Sequence, residues 1–182
     1  MAPTTPHTSL QLYRLKVRHE TAFRALLKDW ESDWKHITPS IIKRDSSDFA
    51  DYVHRLETYS DGKDMPHPRV PGTTFFLMDE EQAVIRGVVN VRHQLNDFLK
   101  RGGGHIGYGV PPSQRGRGYA TLMLKLSLEF AYDRGIEAVL LTVEPDNPAS
   151  QKVILNNGGV FGGMGDLRGI PVEKYWFRKK EN

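Results

Sequence analysis

The sequence of 182 residues contains no cysteine. Without a thiol, the chain cannot form a disulfide, build a cysteine zinc site or carry an acyl group as a cysteine thioester during catalysis. This lack of cysteine is compatible with a reducing compartment, and we expect a cytoplasmic protein. The sequence also lacks a run of about eighteen apolar residues, the length at which a helix begins to span a bilayer, and it therefore predicts no membrane segment.

A concentration of basic charge is missing as well. The formal net charge is only +3, whereas domains that bind nucleic acid usually carry a clustered basic face. Basic residues are scattered here apart from a run at 178–180, which is typical of a solvated tail, and we expect no nucleic-acid partner. With 38% apolar and 26% charged residues, the composition is that of a globular protein. We predict a flexible leader at residues 1–9 and one domain at 10–180.

The stretch from His105 to Phe161 contains the most informative motif. The apolar run His105–Val110 predicts a strand, and a glycine-spaced basic loop follows it and leads directly into a helix predicted at 119–133. The first N–H groups of a helix lack partners and lie at the positive end of its dipole, so this junction suits an anion, most often a phosphate. Arg115 and Arg117 would add charge-assisted hydrogen bonds. This loop has neither the lysine of a nucleotide-hydrolysing P-loop nor the Gly-x-Gly-x-x-Gly of a dinucleotide fold.

The other elements are predicted from periodicity and from local start and stop signals. Asn147 followed by Pro148 is a strong helix start, because asparagine caps the helix and proline fits its first position. The remaining strands are predicted at 10–17, 138–143, 160–164 and 175–178, with a hairpin of 75–78 and 83–92. An amphipathic helix is predicted at 19–34, and a second helix has its apolar stripe at 49–56, a cap within 45–47 and its end at 61–62.

The segment Arg115-Gly116-Arg117-Gly118-Tyr119-Ala120 resembles the Gln/Arg-x-x-Gly-x-Gly/Ala signature of the GNAT acyltransferase superfamily. The order of strand, loop, helix, strand and capped helix matches that family over about residues 105–161, and a closer likeness, over 75–161, is to a little-characterised bacterial branch of predicted acetyltransferases. The resemblance implies a single α/β domain with a mixed, mostly antiparallel sheet of about six or seven strands and about four helices. It also implies acetyl-CoA as the acyl donor, with its pyrophosphate on the loop amides and its thioester between two splayed strands.

The resemblance further assigns a set of residues to cofactor binding. The implied contacts are Tyr108, Val110, Arg115, Gly116, Arg117, Gly118, Tyr119, Ala120, Thr121, Asn147 and Ser150. Within this set, the Val110 N–H would stabilise the oxyanion. Asn147 would touch the pantetheine arm, and Ser150 a phosphate or backbone group nearby.

The sequence departs from the family at the position of the usual acid, a tyrosine in the helix after Asn147, where this chain has Ile154. The leaving thiolate would then depart unassisted, unless a phenol reaches the sulfur from elsewhere. The other phenols considered are Tyr108, Tyr119 and Tyr175.

Two residues on the strands that flank the expected thioester could take the proton of an acceptor amine, namely His105 and Glu144. A histidine has an ordinary pKa of about 6.5, the nearest of any side chain to neutrality. Glu144 stands next to Pro145, where the chain turns towards solvent. A third alternative is that water and the backbone suffice.

Two functions therefore remain open. The first is an acetyl-CoA-dependent N-acetyltransferase that moves an acetyl group directly to a primary amine of a small molecule or peptide. The alternative is a non-catalytic acyl-CoA-binding sensor or partner domain. The missing tyrosine favours the alternative, and the two helices before the hairpin, which build the acceptor pocket in the family, favour the enzyme. Both a monomer and a homodimer are compatible with the sequence.

We expect no resident metal and no ATP requirement, because the chain has neither a cysteine nor a P-loop lysine nor a His-x-x-x-His pair on a helix. Turnover should therefore survive EDTA and proceed without ATP, as measured by thiol release. A turnover that disappears with chelator and returns when zinc or magnesium is added would contradict this prediction.

Overall fold

The computed structural model describes residues 9–63, 65–79 and 81–179, so nearly all of the predicted leader lies outside the described residues. The predicted number of elements is confirmed, with seven strands and four α-helices in the described part. The strands are β1 (Gln11–Tyr13), β2 (Gly72–Met78), β3 (Gly87–Arg92), β4 (Ile106–Gly109), β5 (Ala138–Val143), β6 (Val160–Leu167) and β7 (Ile170–Arg178). The helices are α1 (Glu20–Trp30), α2 (Phe49–Ser60), α3 (Tyr119–Asp133) and α4 (Pro148–Asn156).

The strands form two sheets and not one continuous sheet. The first has the order β1-β2-β3-β4 and the second the order β5-β7-β6. Every neighbouring pair within them is antiparallel. The predicted hairpin is confirmed, because β2 and β3 pair antiparallel, although β2 begins at Gly72 and not at 75 and β3 begins at Gly87 and not at 83. The mostly antiparallel arrangement expected from the sequence is thus present, and the division into two sheets is the main addition.

The core has two halves, one on each face of the first sheet. All seven residues of β2 are buried, and because successive side chains of a strand point to opposite faces, β2 contributes to both halves. Phe76 and Met78 pack with α1 and α2. Phe75 and Leu77 pack with α3 and β5. The first sheet is therefore covered by α1 and α2 on one face and by α3 on the other.

Helix α3 has the predicted bounds, and its charged residues form a polar stripe that faces solvent. Lys125, Glu129 and Asp133 of its polar stripe are exposed, whereas Met123 and Leu124 are fully buried. This partition fixes the helix against the sheet and places its first turn at the end of the loop that follows β4.

Several predicted bounds in the first third of the chain are wrong. β1 covers 11–13 instead of 10–17, and α1 ends at Trp30 because the chain continues as 3-10 turns over Glu31–His36. These turns contain a kink at Asp33, whose φ of −128° and ψ of 29° are not helical. The cap of α2 is Asp48, which accepts a hydrogen bond from the Asp51 N–H at 2.9 Å, and not a residue of 45–47.

The two sheets meet at the start of β4. The His105 N–H donates to the Leu140 carbonyl oxygen at 2.7 Å, and the Leu140 N–H donates to Nδ1 of His105 at 2.9 Å. Gly104 precedes this junction with a φ of +62°, and a Cβ there would lie 2.7 Å from the Leu140 oxygen. A side chain at 104 would therefore push the sheets apart. Beyond the junction, β4 and β5 form no ladder in the described chain.

Within the described ranges, no helix combines the length and the apolar content needed to cross a membrane.

Loss of His105 is expected to weaken the junction between the sheets. In His105→Ala the buried Leu140 N–H loses its acceptor, which should lower the free energy of unfolding by about 1–3 kcal/mol. In His105→Asn the amide oxygen can stand near the former Nδ1 and should recover part of this loss. Urea unfolding of the three proteins measures the difference, and equal stabilities for wild type and His105→Ala would contradict the assigned role.

The same residue predicts how stability depends on pH. Burial, helped by the positive charge of Arg92, lowers the pKa of His105 from 6.5 to about 4. The unfolded chain therefore takes up a proton at a higher pH than the folded chain, so the free energy of unfolding falls as pH drops from 6.5 to about 4. Burial also lowers the pKa of His93 to about 4, which adds to the slope. The decline should be shallower in His105→Asn than in wild type, and an unchanged slope would contradict the prediction.

Candidate functional site

Beyond the junction, a cleft of about 930 Å³ lies beside the end of β4 and the loop that follows β5. Its walls come from the end of β4, the loop 110–118, the first turns of α3 and α4, and the segment 30–38 from the first third of the chain. The residues predicted from the sequence as site residues all line this cleft, except His105 and Arg117. A volume of this size is in the range of small-molecule sites.

The register of β4 shows where its backbone groups point. The Arg92 N–H donates to the His105 carbonyl oxygen at 2.8 Å, and by the alternation of an antiparallel pair the N–H and C=O of Gly109 also face β3. Tyr108, between them, turns its N–H and C=O away from β3, and Val110 follows directly after the end of the strand. These groups therefore face the gap between the sheets, where an N–H can donate to a ligand oxygen.

The loop before α3 presents backbone N–H groups to the cleft. Gly116 and Gly118 have φ values of +75° and +79°, a region that favours glycine. Gly118 is also the N-cap of α3 and offers no side chain to cap it. The N–H groups of 119–121 therefore begin the helix without a side-chain acceptor at the cap, as an anion site requires. No atom lies within 4 Å of a Cβ built at either glycine, so the backbone is open to close approach.

Arg115 already has protein partners. Its Nε donates to the Val110 carbonyl oxygen at 3.0 Å, and its terminal nitrogen forms an ion pair with the carboxylate of Asp33. Hydrogen bonds from Arg115 and then from His36 hold the pKa of Asp33 below its usual value. A phosphate that contacts the Arg115 guanidinium would therefore share this group with the Asp33 carboxylate. Arg117 is exposed and does not line the cleft.

A pair of hydroxyl groups bridges β4 and α4. The Tyr108 hydroxyl lies 2.7 Å from Oγ of Ser150, and either can be the donor. Ser150 is held in turn because its N–H donates to Oδ1 of Asn147, the cap of α4, at 3.0 Å. Burial raises the pKa of Tyr108 to about 12, so the phenol keeps its proton at neutral pH. The predicted cap of α4 thus also places a proton donor on the wall of the cleft.

The two bases predicted from the sequence lie in different surroundings. Glu144 is exposed and lines the cleft. His105 is 6% exposed and lies at the junction of the sheets. Because its Nδ1 accepts the Leu140 N–H, the neutral ring carries its proton on Nε2 and has no nitrogen left to accept another. The fold brings Glu144 to the cleft and leaves His105 outside it, and a catalytic role for either residue stays a prediction.

Ile154, at the position of the family's usual tyrosine, is fully buried and packs in the core beneath α3. Of the alternative phenols, Tyr108 and Tyr119 line the cleft. Tyr175 instead donates to the carboxylate of Glu173 at 2.9 Å and packs against β6. Any phenol that assists the reaction would therefore come from β4 or the start of α3.

One wall of the cleft contains individual residues that were not assigned from the sequence, which implied only that the helices before the hairpin build an acceptor pocket. It consists of the segment 30–38 and includes Asp33, His36 and Thr38. Asp29 of α1 accepts hydrogen bonds from the N–H and hydroxyl of Ser113 at 3.2 and 2.6 Å, and Asp33 pairs with Arg115. These contacts hold the segment against the loop 110–118 before α3 (the anion loop). The spacing Asp33-x-x-His36 was a visible signal, but nothing in the sequence links it to a loop eighty residues later.

The chain was compared with known proteins and structures. Residues 9–160 match the family model described as the acetyltransferase (GNAT) domain. A search of curated protein sequences gives no match. Among solved structures, RimL, a ribosomal L7/L12 alpha-N-protein acetyltransferase in complex with coenzyme A, is 18% identical with a TM-score of 0.67, covering 94% of both chains.

Two further structures are similar to this chain. The microcin C7 self-immunity acetyltransferase MccE, in complex with acetyl-CoA and AMP, is 16% identical with a TM-score of 0.67 and covers 96% of this chain and 98% of its own. A chimera of the spermidine N-acetyltransferase SpeG from Vibrio cholerae and hSSAT is 16% identical with a TM-score of 0.59, covering 93% and 95%. At these identities the likeness shows a shared fold.

The open backbone of the loop predicts the effect of a charge placed on it. Gly116→Asp and Gly118→Asp should each abolish acetyl-CoA binding, because a carboxylate would occupy the space of the pyrophosphate and repel it. Gly135→Asp is the matched control, since Gly135 has a φ of +81° and no atom within 4 Å of its Cβ but lies at the other end of α3. Calorimetry measures affinity, and thermal unfolding shows that all three variants fold. Undiminished affinity in the two loop variants would contradict the assignment.

Proposed function

The chain belongs to the GNAT acetyltransferase family, and from this premise we propose that it is an acetyl-CoA-dependent N-acetyltransferase. It moves the acetyl group directly to a primary amine of a small molecule or peptide, without an acyl-enzyme. The observation that carries the proposal is a single cleft that contains the N–H groups of the anion loop, the gap-facing N–H of β4 and the hydroxyl pair of Tyr108 and Ser150. In that order, these groups correspond to the three places where negative charge lies or develops in acetyl transfer, namely the pyrophosphate, the oxyanion and the leaving thiolate.

The donor is bound along the cleft from the loop to the gap. The pyrophosphate lies on the N–H groups of 115–121, where the helix dipole of α3 favours negative charge. The pantetheine arm extends past Asn147 towards the gap beside Tyr108. Coenzyme A in the RimL structure and acetyl-CoA in the MccE structure support a donor of this class, as findings on those proteins.

The reaction begins with a neutral amine, because a protonated amine has no lone pair. Its nitrogen attacks the thioester carbon, the carbonyl oxygen becomes an oxyanion, and the Val110 N–H donates a hydrogen bond to it. The C–S bond then breaks, the amine loses a proton, and the thiolate leaves as coenzyme A. An acyl-enzyme through cysteine is excluded by composition.

The hydroxyl pair assists the leaving thiolate in place of the tyrosine that α4 lacks. A thiol has an ordinary pKa of about 8.5, whereas that of Tyr108 is raised to about 12. Complete proton transfer from the phenol would therefore be uphill. One hydroxyl of the pair donates to the developing sulfur anion while the other donates to its partner and strengthens that bond, and the final proton comes from the base or from water.

A second candidate function is the non-catalytic acyl-CoA-binding domain, which the burial of Ile154 favours because α4 then supplies no phenol. A thiol-release assay against an amine panel separates the two functions. The panel contains a peptide with a free α-amine, spermidine and small primary amines. At least one amine should raise thiol release above the rate of acetyl-CoA hydrolysis. Binding of acetyl-CoA by calorimetry with no release against any amine would support the binding domain and contradict the enzyme.

With an accepted amine, Tyr108→Phe and Ser150→Ala should each lower kcat by about 10- to 100-fold, because each removes a donor that acts in the transition state. The affinity for acetyl-CoA should stay within a few-fold of wild type. Tyr132→Phe serves as the control, since Tyr132 is a half-buried phenol of α3 outside the cleft. Full activity in both hydroxyl variants would contradict the role of the pair.

A further inference from the structure

We propose that His36, oriented by Asp33, is the general base that takes the proton of the acceptor amine. This inference rests on the proposed function and names the group that the reaction still lacks. His36 lines the same cleft as Tyr108 and Val110, on the wall formed by the segment 30–38.

The geometry of the pair suits a base. Nδ1 of His36 lies 2.7 Å from Oδ1 of Asp33, three residues earlier in the 3-10 turns. A carboxylate can only accept a hydrogen bond, so Nδ1 carries the proton and Nε2 keeps its lone pair. The His36 side chain is 80% exposed, and an acceptor can reach it, whereas that of Asp33 is 22% exposed.

Asp33 is itself held in place and charged. Its second oxygen, Oδ2, forms the ion pair with Arg115, and its pKa is lowered by the hydrogen bonds from Arg115 and His36. The Arg115 guanidinium, the Asp33 carboxylate and the His36 imidazole thus follow one another from the anion loop to the wall of segment 30–38 (the acceptor wall). This is the arrangement in which a base is oriented by a third group.

The other charged groups around the cleft are less suited to the task. Glu144, Asp146 and Lys152 line it from the β5–α4 loop and α4. No hydrogen bond orients the Glu144 carboxylate among the described residues, so it serves better to attract a cationic acceptor. Lys35 is exposed on the same turns as His36. Imidazole is the side chain that titrates nearest neutral pH, where general base catalysis is most efficient.

The proton balance closes without another reactant. As the C–N bond forms, the acceptor nitrogen gives its proton to Nε2 of His36, which becomes imidazolium beside the Asp33 carboxylate. The C–S bond breaks, and the imidazolium proton passes to the thiolate directly or through water. The products are the acetylated amine and the free thiol, and the imidazole is neutral again.

The first test is the pH profile of kcat/KM with an accepted amine. His36→Ala should lower kcat/KM by about 10²- to 10⁴-fold and remove the limb on the acidic side, with acetyl-CoA affinity kept. Lys35→Ala, the neighbouring control, should retain the wild-type rate and limb. A His36→Ala enzyme within a few-fold of wild type overturns the proposal. So does a limb that persists in His36→Ala and disappears in Glu144→Gln or His105→Asn.

The second test uses Asp33→Asn, which keeps the size of the side chain at 33 but changes how it orients the His36 ring. Arg115 can only donate, so the new amide must turn its oxygen to Arg115 and its NH₂ group to Nδ1 of His36. The proton of the imidazole then moves to Nε2, and the base is lost although the pair with the loop remains. Activity should fall nearly as far as in His36→Ala, with acetyl-CoA affinity within a few-fold of wild type.

The ring tautomer can be read without turnover. The ¹⁵N shifts of the His36 imidazole should report the Nδ1–H form in wild type and the Nε2–H form in Asp33→Asn. A wild-type ring in the Nε2–H form overturns the inference while leaving the proposed function standing. A wild-type protein in the Nδ1–H form that binds acetyl-CoA but acetylates no amine overturns the proposed function, and with it the assignment of His36 as a base.

Discussion

The site depends on the fact that β4 and β5 are joined at one end only. Two hydrogen bonds between His105 and Leu140 hold the sheets together there, and Gly104 allows the approach. If pairing continued along both strands, it would use the backbone groups of Tyr108 and close the gap. The junction therefore does two things at once, since it connects the halves of the core and leaves β4 with unpaired edge groups towards the cleft. A buried histidine is suited to the task because its ring accepts the Leu140 N–H while its backbone N–H donates to the Leu140 carbonyl oxygen.

The donor side of the cleft was predictable because its signals are local. Gly118 starts α3, and Asn147 with Pro148 starts α4, each within a few residues of what it determines. The loop, the helix and the cap therefore occupy the predicted positions. The division into two sheets was not predictable, because it rests on a contact between residues 35 positions apart. For the same reason, the sequence pointed to His105 as a base on the right strand and could not reveal that its Nδ1 is already occupied.

The first third of the chain was predicted less well, for a different reason. Several residues compete there for the same structural role, as with the carboxylate and hydroxyl side chains of 45–48, among which only Asp48 caps α2. The apolar periodicity that predicted a helix to residue 34 ignores the kink at Asp33. That kink is also what gives the acceptor wall its shape, since the 3-10 turns place Asp33 and His36 within hydrogen-bond reach of each other. The place where the backbone departs from a regular helix is therefore also the part of the site whose residues the sequence did not reveal.

The two sides of the cleft differ in how far apart in the chain their residues lie. The donor side lies within one continuous stretch, whereas the acceptor wall, the segment 30–38, is joined to its loop in the described chain by side-chain hydrogen bonds of Asp29 with Ser113 and of Asp33 with Arg115. Substitutions in the segment 30–38 that keep those contacts can therefore alter the acceptor wall without disturbing the backbone groups that suit the donor. Among the similar folds, RimL is named for a protein α-amine and SpeG for spermidine. A shared fold does not fix the acceptor, so under the proposed function the acceptor has to be sought by varying the 30–38 wall and the cleft residues Glu144 and Asp146.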